Sequence, residues 1–127
     1  MAIDSEGDIV SARQIGREMA APLGFSVSDL TLIATAISEI SRNIVDHAGS
    51  GEIEFNVTDN GINPGITIIA RDTGPGIGDI ELAMQDGYTS KKGLGLGLPG
   101  SQRIMDDFKI QSTVGQGTTV VMKKWRR

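Results

Sequence analysis

The hydrophobic positions of this chain follow a helical period in its first fifty residues. Apolar residues recur every three or four positions between residues 9 and 20 and again between residues 30 and 45, and this spacing predicts two amphipathic helices. The stripe of the first helix is Ile9, Ala12, Ile15, Met19 and Ala20, and that of the second is Leu30, Ile33, Ala34, Ile37, Ile40, Ile44 and Val45. Capping side chains, proline and glycine set the expected boundaries: Asp8, Pro22 and Gly24 for the first helix, and Ser28 or Asp29, Gly49 and Gly51 for the second.

The period then changes to two, which is typical of β-strands. Ile53, Phe55 and Val57 alternate with polar residues and predict a half-buried strand. A mostly apolar strand over residues 66–70 follows a turn-rich segment, so the two strands are expected to pair as an antiparallel hairpin.

The second half of the chain predicts one more helix and one more hairpin. The helix is expected near residues 99–107, and strands over residues 108–114 and 118–125 flank a glycine turn. The segment between residues 78 and 92 is mixed: it suggests a short helix near residues 79–85 and a mobile cover that ends at Lys92. Because helices and antiparallel strands come in blocks, the predicted fold is α+β: a two-layer sandwich with helices on one face of a mixed, mostly antiparallel sheet.

Composition narrows the class of protein. The 127 residues are expected to form one domain, residues 1–127, and a net charge of -4 argues against general binding of nucleic acid. The absence of cysteine excludes disulfides, thiolate metal sites and thiol catalysis. The first residues do not resemble a signal peptide, and no apolar run reaches the ~20 residues of a membrane span. We therefore expect a soluble, cytoplasmic protein that does not bind membranes.

The 17 glycines are an excess, and several of them form a loop before the third predicted helix. Gly93, Gly95, Gly97 and Gly100 leave backbone N–H groups bare at a helix N-terminus, an arrangement that favours a bound phosphate. A dinucleotide-binding fingerprint is excluded because no strand precedes this loop and no acidic residue follows at the required distance; a P-loop signature is also absent. The alternative is a tight connection with no ligand.

A second glycine motif, Asp72-Thr-Gly74-Pro-Gly76-Ile77, follows the second predicted strand. A carboxylate there could accept a hydrogen bond from the exocyclic amine of adenine, while the glycines would let the base approach the backbone. The alternative is a turn in which Asp72 hydrogen-bonds its own loop.

Three polar residues of the second predicted helix, Glu39, Asn43 and His47, lie four positions apart along one edge. A carboxylate there could deprotonate a nucleophile, and the Asn43 carboxamide oxygen suits Mg²⁺. His47 could contact a phosphate. The alternative for all three is a solvated helix face.

Near the C-terminus, Gly117-Thr118 predicts a hairpin turn that could also bring a hydroxyl to a bound base. The basic tail from Lys123 to Arg127 indicates either a strand end with snorkelling side chains or a patch for an acidic protein partner.

Taken in order, these motifs resemble those of the GHKL ATPases, which have the Bergerat ATP-binding fold. Glu39-x-x-x-Asn43 is similar to their N box, Asp72-x-Gly74-x-Gly76 to their G1 box, Gly93-x-Gly95-x-Gly97 to their G2 box, and Gly117-Thr118 to their last adenine-side motif. Each motif alone is weak, but four in this order with a lid between the second and third are specific. The small size and the run from Ser38 to Asn43 resemble the bacterial anti-sigma-factor serine kinases, and most closely the switch serine/threonine kinases of the stressosome.

The resemblance implies a protein kinase that uses ATP and Mg²⁺. Asp72, Gly74, Gly76, Ile77 and Thr118 would hold the adenine side, Asn43 would ligate Mg²⁺, and Glu39 would be the catalytic base. His47, Lys92, Gly93, Leu94, Gly95, Leu96 and Gly97 would surround the phosphates. Its substrates would be the STAS-domain scaffold and antagonist proteins of the stressosome, and the released kinase would activate a PP2C-type phosphatase. Two alternatives stay open: a kinase that also binds a sigma factor directly, and a non-catalytic module that senses ATP.

Overall fold

The computed structural model of this protein describes residues 1–76 and 97–127. Its elements are β1 Ala2–Ile3, α1 Glu6–Ala20, α2 Val27–Asn43, β2 Gly51–Asp59, β3 Pro64–Asp72, α3 Gly97–Ile104, β4 Asp107–Thr113 and β5 Gly117–Trp125. In these described residues the five strands form one sheet in the order β1-β2-β3-β5-β4, and every pairing is antiparallel. The predicted α+β fold and both hairpins are confirmed. The expected helix near residues 79–85 and the expected cover lie outside the described residues.

Serine side chains cap both long helices, earlier in the chain than predicted. The Ser5 hydroxyl accepts from the Asp8 N–H at 3.4 Å, and the Ser26 hydroxyl accepts from the Asp29 N–H at 3.1 Å. Asp8 is therefore inside α1, where its carboxylate accepts from the Asp4 N–H, and this hydrogen bond lowers the pKa of Asp8. The predicted starts at Asp8 and at Ser28 or Asp29 were wrong because a cap lies one turn before the first apolar position.

The helix α2 ends in a π-helical turn, Ile44–Ala48, and stops at Gly49, whose φ is 82°. Along α2, hydroxyl groups bond to the carbonyl oxygen four residues earlier at Thr31, Thr35, Ser38 and Ser41. These bonds satisfy the hydroxyls inside the helix, so Ser41 is fully buried with the Ile37 carbonyl oxygen as its partner.

The hydrophobic core lies between the helices and one face of the sheet. Alternate strand residues such as Ile53, Ile68 and Met122 are buried there against Ile33 and Ile37 of α2. Most of the predicted stripes are buried, but Ile15 is 37% exposed, and Gly16 takes its place. A Cβ on Gly16 would lie 2.1 Å from the Ile37 side chain, so the absence of a side chain lets α1 and α2 approach closely.

The C-terminal tail forms hydrogen bonds at and just after the C-terminal end of α3. The Lys124 ammonium donates to the Ile104 carbonyl oxygen at 2.9 Å. The Asp106 carboxylate accepts from the Trp125 N–H at 2.8 Å and from the Arg127 guanidinium at 3.0 Å. The Lys124 and Arg127 side chains are thus engaged within the chain, which favours the strand-end interpretation for these two residues. In residues 1–76 and 97–127, no helix is long and apolar enough to cross a membrane.

Candidate functional site

A cleft opens between α2 with its π-helical turn and the end of the sheet where β3 stops. The space between its walls, counted together with the solvent at its open mouth, is about 430 Å³. Five residues predicted for a nucleotide site line it: Asn43, His47, Asp72, Gly76 and Thr118. They come from segments far apart in the sequence, so the fold brings together the predicted N box, G1 box and last adenine-side motif.

Asn43 is the last residue of α2, and its amide faces the cleft. Its Nδ2 atom is buried and has no hydrogen-bond partner among the described residues. An unsatisfied buried amide costs roughly 1–3 kcal/mol, so a group that bonds to it from the cleft recovers this free energy. Rotation of the amide would present its oxygen instead, which is the atom that Mg²⁺ prefers.

Asp72 ends β3, beside Thr118 of β5 in the strand register. Its Oδ1 atom accepts from the Gly74 N–H at 3.0 Å, which is the turn that the sequence left as an alternative. The bond engages one carboxylate oxygen, and the carboxyl group still lines the cleft. The turn therefore fixes the side chain and leaves a second oxygen for a ligand.

Three glycines shape the wall beside Asp72. A Cβ on Gly74 would lie 2.5 Å from the Ala48 Cβ, and one on Gly76 would lie 2.5 Å from the Thr113 carbonyl oxygen. At Gly117, where φ is 126°, a Cβ would overlap the carbonyl oxygen of Asp72. The loop after β3 thus packs directly against the turn between β4 and β5.

The cleft also depends on residues that the sequence did not single out. The Ser112 hydroxyl lies 2.8 Å from the Thr118 hydroxyl and donates to the Gly117 carbonyl oxygen. The register of the second hairpin, which pairs Ser112 with Thr118, is the feature of the sequence that could have indicated Ser112. The apolar walls are Ile40, Ile44, Ala70, Leu98, Ile110 and Val120. These residues have the pattern of core positions, so periodicity predicts their burial and not their place in a site.

Glu39 lies on α2 one turn before Asn43, about 6 Å along the axis, and does not line the cleft. It is half-buried. A base in this position would lie at the rim, where a hydroxyl from a partner could approach, and away from the apolar floor.

The glycine loop is only partly described. Gly97 begins α3, and the next residue, Leu98, lines the cleft, so the N-terminus of α3 points to this region. Ile77, Lys92, Gly93, Leu94, Gly95 and Leu96 lie outside the described residues.

The residues present fit a nucleotide with a metal ion. The fit rests on the unpartnered Asn43 amide, the partly engaged Asp72 carboxylate and the glycine wall. Within the described part of the chain, no three His, Asp or Glu side chains gather as metal ligands. A metal ion here would therefore take most of its ligands from phosphate and water.

Comparison with known proteins gives consistent results. The family model described as "Histidine kinase-, DNA gyrase B-, and HSP90-like ATPase" matches residues 28–126. The serine/threonine-protein kinase RsbT of Bacillus subtilis (strain 168) is 50% identical over 126 residues, which cover 98% of this chain and 94% of that one. The anti-sigma F factor of Caldanaerobacter subterraneus subsp. tengcongensis is 35% identical over 122 residues, with 90% and 82% covered.

Solved structures of histidine kinases have the same fold. The mycobacterial sensor histidine kinase MprB matches with a TM-score of 0.60 at 17% identity and covers 100% of this chain and 97% of its own. The catalytic domain of the histidine kinase ThkA matches with a TM-score of 0.56 at 15% identity, with 99% and 95% covered.

Proposed function

Because this chain belongs to the family of histidine kinase-, DNA gyrase B- and HSP90-like ATPases, we propose that it is an ATP-dependent protein serine/threonine kinase of bacterial partner-switching signalling. The observation that carries the proposal is the meeting of Asn43, Asp72 and Thr118 in one cleft. The 50% identity to a serine/threonine kinase favours this activity over the others of the family.

In this proposal the adenine enters the apolar part of the cleft. The free oxygen of Asp72 accepts from its exocyclic amine, and the Gly74 N–H keeps the carboxylate aimed at it. A base without that amine leaves the carboxylate unpaired, which costs binding free energy. The hydroxyl pair of Thr118 and Ser112 closes the polar side of the same wall.

The phosphates lie toward α3 and the glycine loop that precedes it. Asn43 would contribute one ligand to Mg²⁺, and the bound metal ion would neutralise charge on the phosphates. Glu39 takes the proton from the attacking hydroxyl at the rim of the cleft. Since phosphoryl transfer needs mainly positioning and charge stabilisation, these contributions are sufficient once a partner supplies the hydroxyl.

We assign the partners from the resemblance: STAS-domain scaffold and antagonist proteins of the stressosome as substrates, and a PP2C-type phosphatase as the protein activated on release. A second candidate is a kinase that also binds a sigma factor, since anti-sigma F factors are 35% identical to this chain. Retention of a sigma factor, but not of the phosphatase, in pull-down experiments would favour the second candidate.

The decisive experiment is Glu39→Gln, assayed with labelled ATP, Mg²⁺ and a purified STAS-domain protein. The substitution keeps the shape of the side chain and removes its basicity, so transfer should fall on the order of 10²-fold or more. ATP affinity, measured by calorimetry, should change little because Glu39 does not line the cleft. Glu18→Gln, on the exposed face of α1, is the matched control. Unchanged transfer in Glu39→Gln would remove this residue from the mechanism, and no heat of ATP binding to the wild type would contradict the proposal as a whole.

A further inference from the structure

The turn between β2 and β3 places an asparagine directly before a glycine. The turn follows Asp59, the last residue of β2, and its residues Asn60, Gly61 and Ile62 are exposed. Of the four asparagines of the chain, Asn60 is the one that precedes glycine. Because glycine has no side chain to shield its backbone nitrogen, Gly61 N can approach the Asn60 carboxamide closely.

The Asn60 carboxamide is folded back over this turn. Its Oδ1 atom accepts from the Ile62 N–H at 2.9 Å and from the Asn63 N–H at 2.8 Å. Attack of a nucleophile on Cγ would place negative charge on this same oxygen. Two backbone donors already directed at such an oxygen have the arrangement of an oxyanion hole.

The Asp59 carboxylate contacts the nitrogen that would attack. Its Oδ1 atom accepts from the Gly61 N–H at 2.6 Å. A backbone amide nitrogen is a weak nucleophile until it gives up its proton, so a carboxylate that already accepts this hydrogen is in position to act as a general base. One short turn therefore holds a nucleophile, an electrophilic carbon, two oxyanion donors and a base.

We propose that this turn converts Asn60 to aspartate and isoaspartate by an intramolecular reaction. Gly61 N forms a bond to Asn60 Cγ while its proton passes to the Asp59 carboxylate, and the two N–H groups stabilise the negative charge on Oδ1. The bond between Cγ and Nδ2 then breaks, and Asp59 returns the proton to the departing nitrogen, which leaves as ammonia. The product of this step is a succinimide ring.

Water from the solvent opens the ring, since the turn is exposed. Addition of water at Cγ breaks the bond from Cγ to Gly61 N and gives aspartate. Addition at the main-chain carbonyl carbon of residue 60 breaks its bond to the same nitrogen and gives isoaspartate, in which the chain continues through Cγ. In both cases one water is consumed, one ammonia is released, and a neutral carboxamide becomes a carboxylate.

The reaction alters the hairpin tip and leaves the nucleotide cleft unchanged. Pro64 and Asp72 are eight residues apart on β3, which amounts to about 27 Å. Isoaspartate lengthens the turn by one backbone carbon and so disturbs the hydrogen bond from the Asn60 N–H to the Asn63 carbonyl oxygen at 3.2 Å. A form with one more negative charge should therefore accumulate as the protein ages. The inference is independent of the kinase assignment.

Peptide mapping by mass spectrometry tests the proposal on the full chain, incubated at neutral pH either folded or unfolded in guanidinium chloride. Asn60 should convert at least tenfold faster in the folded chain, because unfolding removes the oxyanion donors and the base from their positions. Asn56 and Asn63 are internal controls and should stay intact: Asn56 precedes a β-branched valine, and Asn63 precedes a proline, which has no N–H.

Asp59→Asn tests the role of the base. Asparagine can still accept from the Gly61 N–H but is not basic, so conversion of Asn60 in the folded chain should slow at least tenfold. Glu18→Gln, on the exposed face of α1, removes the same charge and should leave the rate unchanged. Circular dichroism establishes that both variants are folded.

Conversion that is equally fast or faster in the unfolded chain would overturn the proposal, because the turn would then protect Asn60. An unchanged rate in folded Asp59→Asn would also contradict it, since the carboxylate would have no part in the reaction.

Discussion

At the scale of single residues, Gly117 shows how a missing side chain shapes the cleft. Its φ of 126° is unfavourable for other residues, and its α-carbon lies against the carbonyl group of Asp72. Gly115 in the same turn has a φ of 82°, but no atom of the described residues lies within 4 Å of a Cβ placed there. A side chain at Gly115 would therefore meet only backbone strain, whereas a side chain at Gly117 would meet backbone strain and steric overlap.

We expect Gly115→Ala to lower the free energy of unfolding by about 1–2 kcal/mol, the cost of the left-handed conformation. Gly117→Ala should lower it by about 2 kcal/mol more, because the new methyl group forces β5 away from Asp72. Urea denaturation of both variants measures the difference. Equal losses would mean that the turn adjusts without moving the cleft wall.

Residue types and spacing predicted the polar members of the cleft, but not how they are held. The sequence left two interpretations of Asp72, a residue that binds adenine or a residue that stabilises its own turn. In the structure Asp72 accepts the hydrogen bond of the turn and also lines the cleft. The predicted roles of Glu39, Asn43 and Thr118 in binding and catalysis stay predictions until a ligand or an activity is measured. The same holds for Lys92 and the glycines before Gly97, which lie outside the described residues.

At the scale of elements, the C-terminal end of α3 is held by a residue near the end of the chain. The carbonyl group of Ile104, the last residue of α3, accepts from the Lys124 ammonium. A cation at a helix C-terminus also interacts favourably with the helix dipole. The position of the C-terminal end of α3 thus depends on Lys124 of β5.

Lys124→Met should loosen α3 at a cost of roughly 0.5–1.5 kcal/mol. Amide hydrogen exchange in residues 101–105 should accelerate several-fold, while exchange in the middle of β3 should change much less. Lys123→Met is the matched control, because the Lys123 side chain has no hydrogen bond among the described residues and lies on the sheet face that points away from the helices. Uniform acceleration across the sheet would indicate global destabilisation and contradict a local role.

Hydrophobic periodicity predicted the helices that have several helical turns and the strands in which apolar and polar residues alternate several times. Both hairpins and the two long helices were found because their apolar stripes face the core. The strand β1 has only two residues, too few to show a period, and it pairs with β2 at Gly51 and Glu52. The π-helical turn after Asn43 was missed because its one-residue excess over an α-helical turn leaves no mark on the apolar spacing.

At the scale of the whole molecule, ligand binding and stability are linked. A nucleotide that binds only the folded chain stabilises it by about 2.7 kcal/mol at one hundred times its dissociation constant. We expect ATP with Mg²⁺ to raise the melting temperature of the wild type by several degrees. Chelation of the metal should remove much of this shift.

Asp72→Asn should separate binding from folding. Asparagine can still accept from the Gly74 N–H, so the variant without ligand should melt close to the wild type. Its weaker hydrogen bond to the adenine amine should raise the dissociation constant at least tenfold. At the same ATP concentration the stabilisation then falls to about 1.4 kcal/mol. Equal losses of unliganded stability and of affinity would favour a purely structural role for Asp72.

The position of Trp125 has a consequence for spectroscopy. It is the single tryptophan of the chain, and it lies seven residues along the strands from Asp72, on the opposite side of the sheet. That spacing amounts to about 24 Å, so the indole is remote from any nucleotide in the cleft. Its emission therefore reports on contacts at the sheet face that points away from the helices. A change of emission on adding nucleotide would then measure communication through the sheet and not quenching by the bound base.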